Sequence, residues 1–415
     1  MKALILAAGL GTRMRPLTSS IPKPLIPVAG KPFLEHTITN LKEMGVRDIY
    51  ILLGWLQEKV RSYFGKGEKL GVKISYLRQE KQLGTAHAVS MAEKEMGNED
   101  FLCINGDVLV TKEIIETLLK RYKETGGTVM SVYQVSDPSN FGIVALDKEG
   151  KVKDIIEKPK HPVSSLINAG VYIFTSTIFE AIKKTKISPR GEYEITESLR
   201  HLMEKENIYA SNIWGDWLEL GHSWDLLNVN EILMKKQFEE MKESRILGTV
   251  EPNVAIKGKV IIEEGSEIKS GSYIEGPVII GKNCVIGPNA YLRAYSYLVE
   301  KCKVGAASEI KNTIMMNGSK APHHNYVGDS IIGMNCNLGS GTKVANLRLD
   351  EKNIKMVSKG KTYDTGRKKL GVIMGDNVKT GINAVINVGT IIGENSCIGP
   401  GAKVSGNIAP NSFIS

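Results

Sequence analysis

A period of six residues in the second half of the chain restricts its fold more than any other feature. Twelve consecutive positions with this spacing are hydrophobic: Val250, Ile256, Ile262, Ile268, Ile274, Ile280, Ile286, Leu292, Leu298, Val304, Ile310 and Met316. The period is neither that of a strand nor that of a helix. It is the hexapeptide pattern of a parallel β-helix, in which each repeat forms one face of a triangular coil. The flat faces of such a solenoid remain exposed, so we expect a homotrimer.

The repeat is interrupted twice, and interruptions of a solenoid are where binding loops are expected. The register slips around Pro322-His323-His324 and then resumes at Tyr326, Ile332, Leu338 and Val344. A basic insertion, residues 345–373, follows. The repeat returns at Met374, passes through Thr380 and continues at Ile386, Ile392, Ile398 and Val404.

The first half of the chain alternates short apolar runs with helical patterns, which favours a mostly parallel sheet covered by helices. The predicted strands are Ala3–Ala7, Ile49–Leu53, Lys73–Leu77 and Phe101–Asn105, with later mixed strands at Thr128–Val135, Gly142–Leu146 and Val171–Phe174. The predicted helices are Pro32–Met44, Trp55–Phe64, Thr85–Met96 and Lys112–Lys123. We expect an α/β domain over residues 1–225 and the β-helix over residues 248–415. Residues 226–247 are predicted to form a linking helix or an additional helix of the first domain.

Composition excludes several classes of protein. The five cysteines are scattered without a CxxC pair, which argues against a disulfide framework or a zinc ribbon and favours a cytoplasmic location. No run of apolar residues is long enough for a transmembrane helix. The net charge of +9 is not gathered in one patch, so we expect anionic small molecules as partners and neither nucleic acid nor membrane.

A glycine-rich turn after the first predicted strand has the chemistry of a phosphate site. Gly9 and Gly11 allow backbone amides to approach a phosphate closely, and Arg13 and Lys23 supply positive charge. The segment lacks the ending of a Walker A loop and the third glycine of a dinucleotide fingerprint. From Gly9 to Val28 it resembles the signature GxGTRxxPxTxxxPKPxxPV of the sugar-1-phosphate nucleotidylyltransferases.

This resemblance implies a Rossmann-like fold, catalytic roles for Arg13 and Lys23, and Mg²⁺ as cofactor. The nucleotide would contact Leu6, Gly9, Gly11, Thr12, Gln79, Gly84 and Thr85. The sugar phosphate would contact Gly142, Glu157, Lys158 and Asn168. Asp107 is the implied first metal ligand, although an Asp after a strand is also common in turns. Glu219 stands where the family usually has Asp or Asn, and Asp225 is the alternative second ligand.

The solenoid contains a second set of matches. The segment GSKAPHHNYVGD from Gly318 to Asp329 resembles GSKxxHLxYxGD of the bacterial bifunctional N-acetylglucosamine-1-phosphate uridylyltransferase/glucosamine-1-phosphate acetyltransferase. The resemblance implies a left-handed β-helix and places the catalytic base at His323, with His324 as the alternative. An imidazole is suited to taking the proton of an attacking amine. The implied substrate contacts are Arg293, Lys311, Tyr326, Asn337, Asn346 and Lys369.

The chain departs from the bacterial family in its insertion and in ending without a C-terminal arm, and it most resembles archaeal bifunctional sugar-1-phosphate enzymes. The implied reactions are acetylation of glucosamine 1-phosphate by acetyl-CoA and uridylyl transfer from UTP, with dTTP and galactosamine left open. One alternative is a glucose-1-phosphate thymidylyltransferase or uridylyltransferase whose β-helix is only structural. Another is a sugar-nucleotide sensor that has lost turnover.

Overall fold

The computed structural model describes residues 1–415, and contacts between Cα atoms divide the chain into two compact units. Unit 1 comprises Met1–Leu10, Pro22–Leu25 and Phe33–Glu219. Unit 2 comprises Gly11–Ile21, Ile26–Pro32 and Leu220–Ser415. None of the helices combines the length and apolar character needed to traverse a lipid bilayer.

Unit 1 is built on a mixed, mostly parallel sheet, as the alternating pattern predicted. Its strands are, in spatial order, Tyr209–Asn212, Val129–Gln134, Leu166–Phe174, Phe101–Asn105, Lys2–Ala7, Asp48–Leu53 and Lys73–Arg78, with Gly142–Leu146 and Val152–Glu157 attached at Leu166–Phe174. The strand Leu166–Phe174 is antiparallel to both of its neighbours in the main order. The strands Val152–Glu157 and Tyr209–Asn212 were not predicted from the sequence.

Side chains alternate between the two faces of this sheet, and each face is covered by its own hydrophobic cluster. Ile5 and Ile104 belong to one cluster, whereas their neighbours Leu4 and Cys103 belong to the other. The helices are Phe33–Glu43, Gln57–Phe64, Thr85–Ser90, Glu93–Met96, Lys112–Thr125, Ile178–Lys184 and Ile195–Met203. The helix expected over Thr85–Met96 is therefore broken into two. Short 3₁₀ turns lie at Thr12–Met14 and Leu17–Ser19 in unit 2 and at Lys23–Leu25 and Glu68–Leu70 in unit 1.

Most of unit 2 consists of three parallel sheets whose strands follow one another in rotation along the chain. The first contains Arg245–Ile246, Val260–Ile262, Val278–Lys282, Ser296–Glu300, Ile314–Met315, Ile331–Ile332, Val372–Met374, Thr390–Ile392 and Asn407–Ile408. The second contains Ala255–Lys257, Tyr273–Glu275, Tyr291–Leu292, Glu309–Lys311, Tyr326–Gly328, Lys343–Val344, Val385–Ile386 and Lys403–Val404. The third face carries Thr249–Val250, Glu267–Ile268, Val285–Ile286, Lys303–Ala306 and Lys320–His323, then Lys379–Thr380, Cys397–Ile398 and Phe413–Ile414. This arrangement agrees with the predicted β-helix.

The register explains the six-residue period. Ile262 pairs with Ile280, and Ile280 pairs with Leu298, so one coil takes 18 residues, or three hexapeptides. The aliphatic side chains at these positions form one continuous buried core along the solenoid. The period is a property of coil geometry and does not depend on any single contact.

The predicted position of the register slip is wrong. Ile310 pairs with Val327, and Met315 pairs with Ile332, so these coils have 17 residues instead of 18. One residue is missing from the corner after Lys311, and another from the corner after Gly328. Val327 is consequently buried in the core, whereas Tyr326 is only partly buried. Sequence spacing alone did not locate the shortened corners. Tyr326 and Val327 are both hydrophobic, so either residue can continue the six-residue period.

Three further elements belong to unit 2. The helix Asp225–Glu240 precedes the first strand of the solenoid. Short strands Pro27–Val28 and Lys31–Pro32 pair antiparallel. Inside the insertion, Lys355–Ser358 and Lys361–Asp364 form an antiparallel hairpin.

Candidate functional sites

The glycine-rich loop has a defined conformation with accessible backbone. Gly11 has φ +62°, in the left-handed region that favours glycine, and its carbonyl accepts a hydrogen bond of 2.8 Å from the Thr18 hydroxyl. A Cβ on Gly9 would meet nothing within 4 Å. Thr12 is partly buried and Arg13 is exposed. The loop therefore has open backbone at Gly9 and an accessible cation at Arg13.

Lys23 pairs with Asp107 in unit 1, and the backbone of Glu219 lies beside them. The Lys23 ammonium lies 3.0 Å from Asp107 Oδ2, with only 13% of the lysine side chain exposed. Val108, the next residue, pairs with Glu219 in an antiparallel bridge, which brings Glu219 close to Asp107. No group of three or more His, Cys, Asp or Glu residues able to hold a metal is present. Two carboxylates nonetheless fit Mg²⁺, which keeps several waters and takes other ligands from substrate phosphates.

Asp225 has a different local role. Its carboxylate accepts a hydrogen bond of 2.6 Å from the His222 backbone N–H, at the start of the helix Asp225–Glu240. The Arg13 guanidinium lies 3.8 Å from the place that a Cβ on Gly221 would occupy. One carboxylate oxygen of Asp225 therefore already accepts a hydrogen bond from the turn at the start of this helix.

Two residues expected to contact the nucleotide are fixed by the sheet of unit 1. Leu6 pairs with Asn105 on one side and with Leu52 on the other, near the carboxyl ends of these strands. Gln79 follows the strand Lys73–Arg78 and is buried, with its amide nitrogen 2.8 Å from His87 Nδ1. Polar groups beyond the carboxyl ends of parallel strands lie where such sheets bind ligands.

Gly84 and Thr85 are held by a neighbouring segment. Gly84 has φ +108°, and a Cβ there would lie 2.5 Å from the Tyr193 carbonyl oxygen. The Thr85 hydroxyl accepts a hydrogen bond of 3.0 Å from the Ile195 backbone N–H, and Gly84 is the N-cap residue of the helix. The Thr85 hydroxyl therefore connects two segments of unit 1.

The four predicted sugar-phosphate residues gather in one place. Gly142 pairs with Glu157 across two antiparallel strands, and a Cβ on Gly142 would lie 3.1 Å from Glu157 Oε2 and 3.7 Å from Asn168 Cβ. The Lys158 ammonium is 3.7 Å from the Glu157 carboxylate. The absence of a side chain at position 142 allows Glu157 and Asn168 to pack closely against its backbone.

Sequence analysis missed the residues that orient Glu157. Arg190 donates a hydrogen bond of 3.1 Å to one carboxylate oxygen of Glu157, and the Thr196 hydroxyl donates one of 3.2 Å to the other. Arg190 also lies 3.3 Å from Glu194, whose pKa is raised by burial and by repulsion from Glu157. These partners are more than thirty residues away from Glu157 along the chain, so no local motif indicated them.

In unit 2, four predicted residues come together in or next to the second sheet of the solenoid. Arg293 donates a hydrogen bond of 2.9 Å to Glu309, whose strand pairs with the strand of Tyr326. Lys311 follows Glu309 in the same strand, and the Tyr326 hydroxyl lies 3.5 Å from Asn346 Oδ1. Burial, followed by repulsion from Glu309, raises the pKa of Tyr326, so its phenol stays protonated at neutral pH. The face therefore offers two cations and two neutral hydrogen-bonding groups.

Both histidines at the adjoining corner are exposed. His323 ends the strand Lys320–His323, and its backbone N–H donates a hydrogen bond of 3.1 Å to Asn325 Oδ1. His324 has φ +50° and turns the corner, with its carbonyl accepting a hydrogen bond from the Lys343 ammonium. The backbone of His323 pairs with Ala306, and the His324 N–H donates a hydrogen bond of 3.0 Å to the Ala306 carbonyl.

Two other predicted contacts are not part of this cluster. Asn337 pairs with Lys320 and Lys379 on the third face of the solenoid. Lys369 is exposed in the insertion, where it pairs with Leu347. The structure thus brings Arg293, Lys311, Tyr326 and Asn346 together, but it shows no contact that joins Asn337 or Lys369 to them.

Comparison with known proteins decides the family. The nucleotidyl transferase family model matches residues 2–236, and the model of the GMPPB C-terminal domain matches residues 274–391. The bifunctional protein GlmU of Methanocaldococcus jannaschii is 45% identical over 414 residues, which cover 100% of this chain and 97% of that protein. The bifunctional sugar-1-phosphate nucleotidylyltransferase/acetyltransferase of Sulfurisphaera tokodaii is 43% identical over 415 residues, 100% of both chains.

The chain belongs to this family of bifunctional enzymes. Among solved structures, a putative glucose-1-phosphate thymidylyltransferase from Bacillus anthracis, in complex with a sucrose, is 30% identical with a TM-score of 0.53. The match covers 59% of this chain and 98% of that one. The family resemblance expected from the sequence is confirmed, and the chain is an enzyme with a nucleotidyl transferase domain.

Proposed function

We propose that the chain acetylates glucosamine 1-phosphate with acetyl-CoA and then joins the product to UTP, releasing pyrophosphate. The observation that most supports a second active site in the solenoid is the cluster of Arg293, Lys311, Tyr326 and Asn346 in successive coils. A purely structural β-helix has no need of two cations on one face beside an exposed histidine. The names of the archaeal relatives support the same pair of reactions.

In the acetyltransferase site, we assign His323 as the general base. The sugar amine attacks the thioester carbonyl carbon, the new N–C bond forms, and the C–S bond breaks to release coenzyme A as thiolate. His323 accepts the proton that the amine loses. Arg293 and Lys311 would bind the sugar phosphate. Tyr326 and Asn346 would form hydrogen bonds with the sugar. Asn337 and Lys369 are proposed as contacts on the family resemblance alone.

In the nucleotidylyltransferase site, an oxygen of the sugar 1-phosphate attacks the α-phosphorus of the nucleotide, and the bond to pyrophosphate breaks. The nucleophile is already anionic, so no general base is required. Arg13 and Lys23 would neutralise charge as it develops on the phosphates. Gln79 would hydrogen-bond the pyrimidine, and the backbone of Leu6, Gly9, Gly11, Thr12, Gly84 and Thr85 would shape the nucleotide pocket. Gly142, Glu157, Lys158 and Asn168 would hold the sugar phosphate.

We assign Asp107 and Glu219 as the residues that hold Mg²⁺, since their backbones are joined through Val108 and the carboxylate of Asp225 is used by the His222 N–H. When bound, Mg²⁺ neutralises negative charge on the triphosphate oxygens. Lys23, which pairs with Asp107, keeps the first ligand oriented.

The remaining parts of the proposal concern architecture and setting. We propose that the solenoid winds left-handed, that the domains span residues 1–225, 226–247 and 248–415, and that the chain forms a homotrimer in the cytoplasm. Its partners would be nucleoside triphosphate, sugar 1-phosphate and acetyl-CoA, without nucleic acid or membrane.

The test measures both reactions on one preparation. Thiol release from acetyl-CoA with glucosamine 1-phosphate reports acetylation, and pyrophosphate release from UTP with N-acetylglucosamine 1-phosphate reports uridylyl transfer. Both are expected, and a panel containing dTTP and galactosamine 1-phosphate identifies the preferred substrates. Pyrophosphate release without any thiol release would overturn the proposal in favour of a single-activity enzyme with a structural β-helix. Binding of UTP without pyrophosphate release would indicate the sensor.

A further inference from the structure

The basic insertion, residues 345–373, has no assigned role beyond the proposed contact at Lys369. Its lysines are exposed, as expected for a solvated loop. Arg367 differs, because only 11% of its side chain is exposed. Burying a guanidinium is costly unless it is paired, so its partners indicate what the insertion does.

One of those partners is Asp329, whose side chain is only 4% exposed. The Asp329 carboxylate accepts hydrogen bonds of 2.9 Å from Asn312 and 2.5 Å from Asn346. The Lys311 ammonium lies 3.5 Å from it, and the Arg367 guanidinium lies 3.8 Å from its other oxygen. Two of the groups that Asp329 holds, Lys311 and Asn346, are proposed substrate contacts of the acetyltransferase site.

Arg367 also reaches the helix Asp225–Glu240. Its guanidinium donates a hydrogen bond of 2.8 Å to Glu231 and another to Asn228. The network therefore contains two carboxylates, Asp329 and Glu231, and two cations, Arg367 and Lys311. Its formal charge is balanced, and removal of one member leaves an uncompensated charge in a largely buried place.

We propose that Asp329 is a positioning residue for the acetyltransferase site and that the insertion supplies Arg367 as its counter-ion. This inference rests on the proposed acetylation. Asp329 orients Lys311 and Asn346 toward the substrate, and Arg367 offsets its negative charge. Without Arg367, Asp329 attracts Lys311 more strongly and repels the incoming sugar phosphate.

The test compares Arg367→Met with Lys368→Met, the adjacent exposed cation, in the full-length protein. For Arg367→Met we expect the KM for glucosamine 1-phosphate to rise roughly tenfold or more, with a smaller change in kcat. Lys368→Met should keep the KM within about twofold, because an exposed lysine away from the network makes a weak electrostatic contribution. Uridylyl transfer by each variant serves as the check that the protein is folded.

The double variant Asp329→Asn/Arg367→Met separates electrostatic from structural roles. It removes one charge of each sign but leaves at position 329 an amide oxygen that can still accept the hydrogen bond from Asn346. We therefore expect its KM to return toward that of the parent enzyme. A double variant no better than Arg367→Met would overturn the proposal, because it would show that Arg367 only anchors the insertion. An unchanged KM in Arg367→Met would also overturn it. Absence of acetylation in the parent enzyme would instead refute the proposed function.

Discussion

The close packing around Gly142 gives a quantitative test of the proposed sugar-phosphate site. An added Cβ would lie 2.9 Å from Thr196 Cγ2 and 3.1 Å from Glu157 Oε2, both closer than ordinary van der Waals contact. The backbone of Gly142 is not left-handed, so Gly142→Ala introduces a steric effect without backbone strain. Relief requires both the Thr196 methyl group and the Glu157 carboxylate to move. This movement weakens the hydrogen bonds that Glu157 accepts from Arg190 and Thr196.

Overpacking of this kind costs about 1 to 3 kcal/mol. If the displacement acts on the transition state for uridylyl transfer, kcat/KM for the sugar phosphate falls by about 5-fold to 150-fold, since 1.36 kcal/mol corresponds to a factor of ten. The assay is pyrophosphate release under varied sugar phosphate, with thiol release from the solenoid as internal control. Gly127→Ala is the matched variant, because a Cβ there would meet its nearest atom at an ordinary 3.5 Å. Equal kcat/KM values for Gly142→Ala and Gly127→Ala would refute the assignment.

Other variants test whether the two reactions use separate sites and whether the raised pKa of Tyr326 affects stability. We expect His323→Ala to lower the rate of thiol release by on the order of 100-fold or more while pyrophosphate release is retained, and the same loss in His324→Ala alone would identify the other base. Lys23→Ala and Asp107→Ala should each reduce pyrophosphate release by about 100-fold or more with acetylation intact, and loss of both activities in a folded variant would contradict the two-site mechanism. The raised pKa of Tyr326 means that its contribution to stability is complete below the unfolded pKa of about 10 and is lost as the pH rises through the folded value. The free energy of unfolding should therefore fall more between about pH 9 and about pH 11 in the parent protein than in Tyr326→Phe, and parallel curves would count against this effect.

Much of the fold could be predicted because the relevant signals are local and periodic. The strands Asp48–Leu53 and Phe101–Asn105 follow directly from short apolar runs. The solenoid core follows from a spacing that persists over many coils. The shortened corners were not predictable, because a one-residue deletion changes the period only slightly, and Tyr326 and Val327 are both hydrophobic.

The site was predicted less completely than the fold. Motif spacing indicated Lys23, Asp107 and Glu157, which the structure places with charged partners. It did not indicate Arg190 or Arg367, because each reaches its carboxylate from a distant part of the chain. Such partnerships depend on tertiary packing, and a single sequence contains no local signal for them.

The two 17-residue coils have a consequence for how the enzyme can change in length. Each coil of a solenoid contacts mainly the coils before and after it, but Glu231 of the helix Asp225–Glu240 also contacts Arg367 in the insertion. Duplication of a regular coil near Ile262–Ile280 would therefore move this helix away from Arg367. A duplication that included the corners after Lys311 and Gly328 would instead separate Asp329 from the partners stacked beside it. Growth by whole coils is therefore excluded between this helix and the insertion as well as at these two corners.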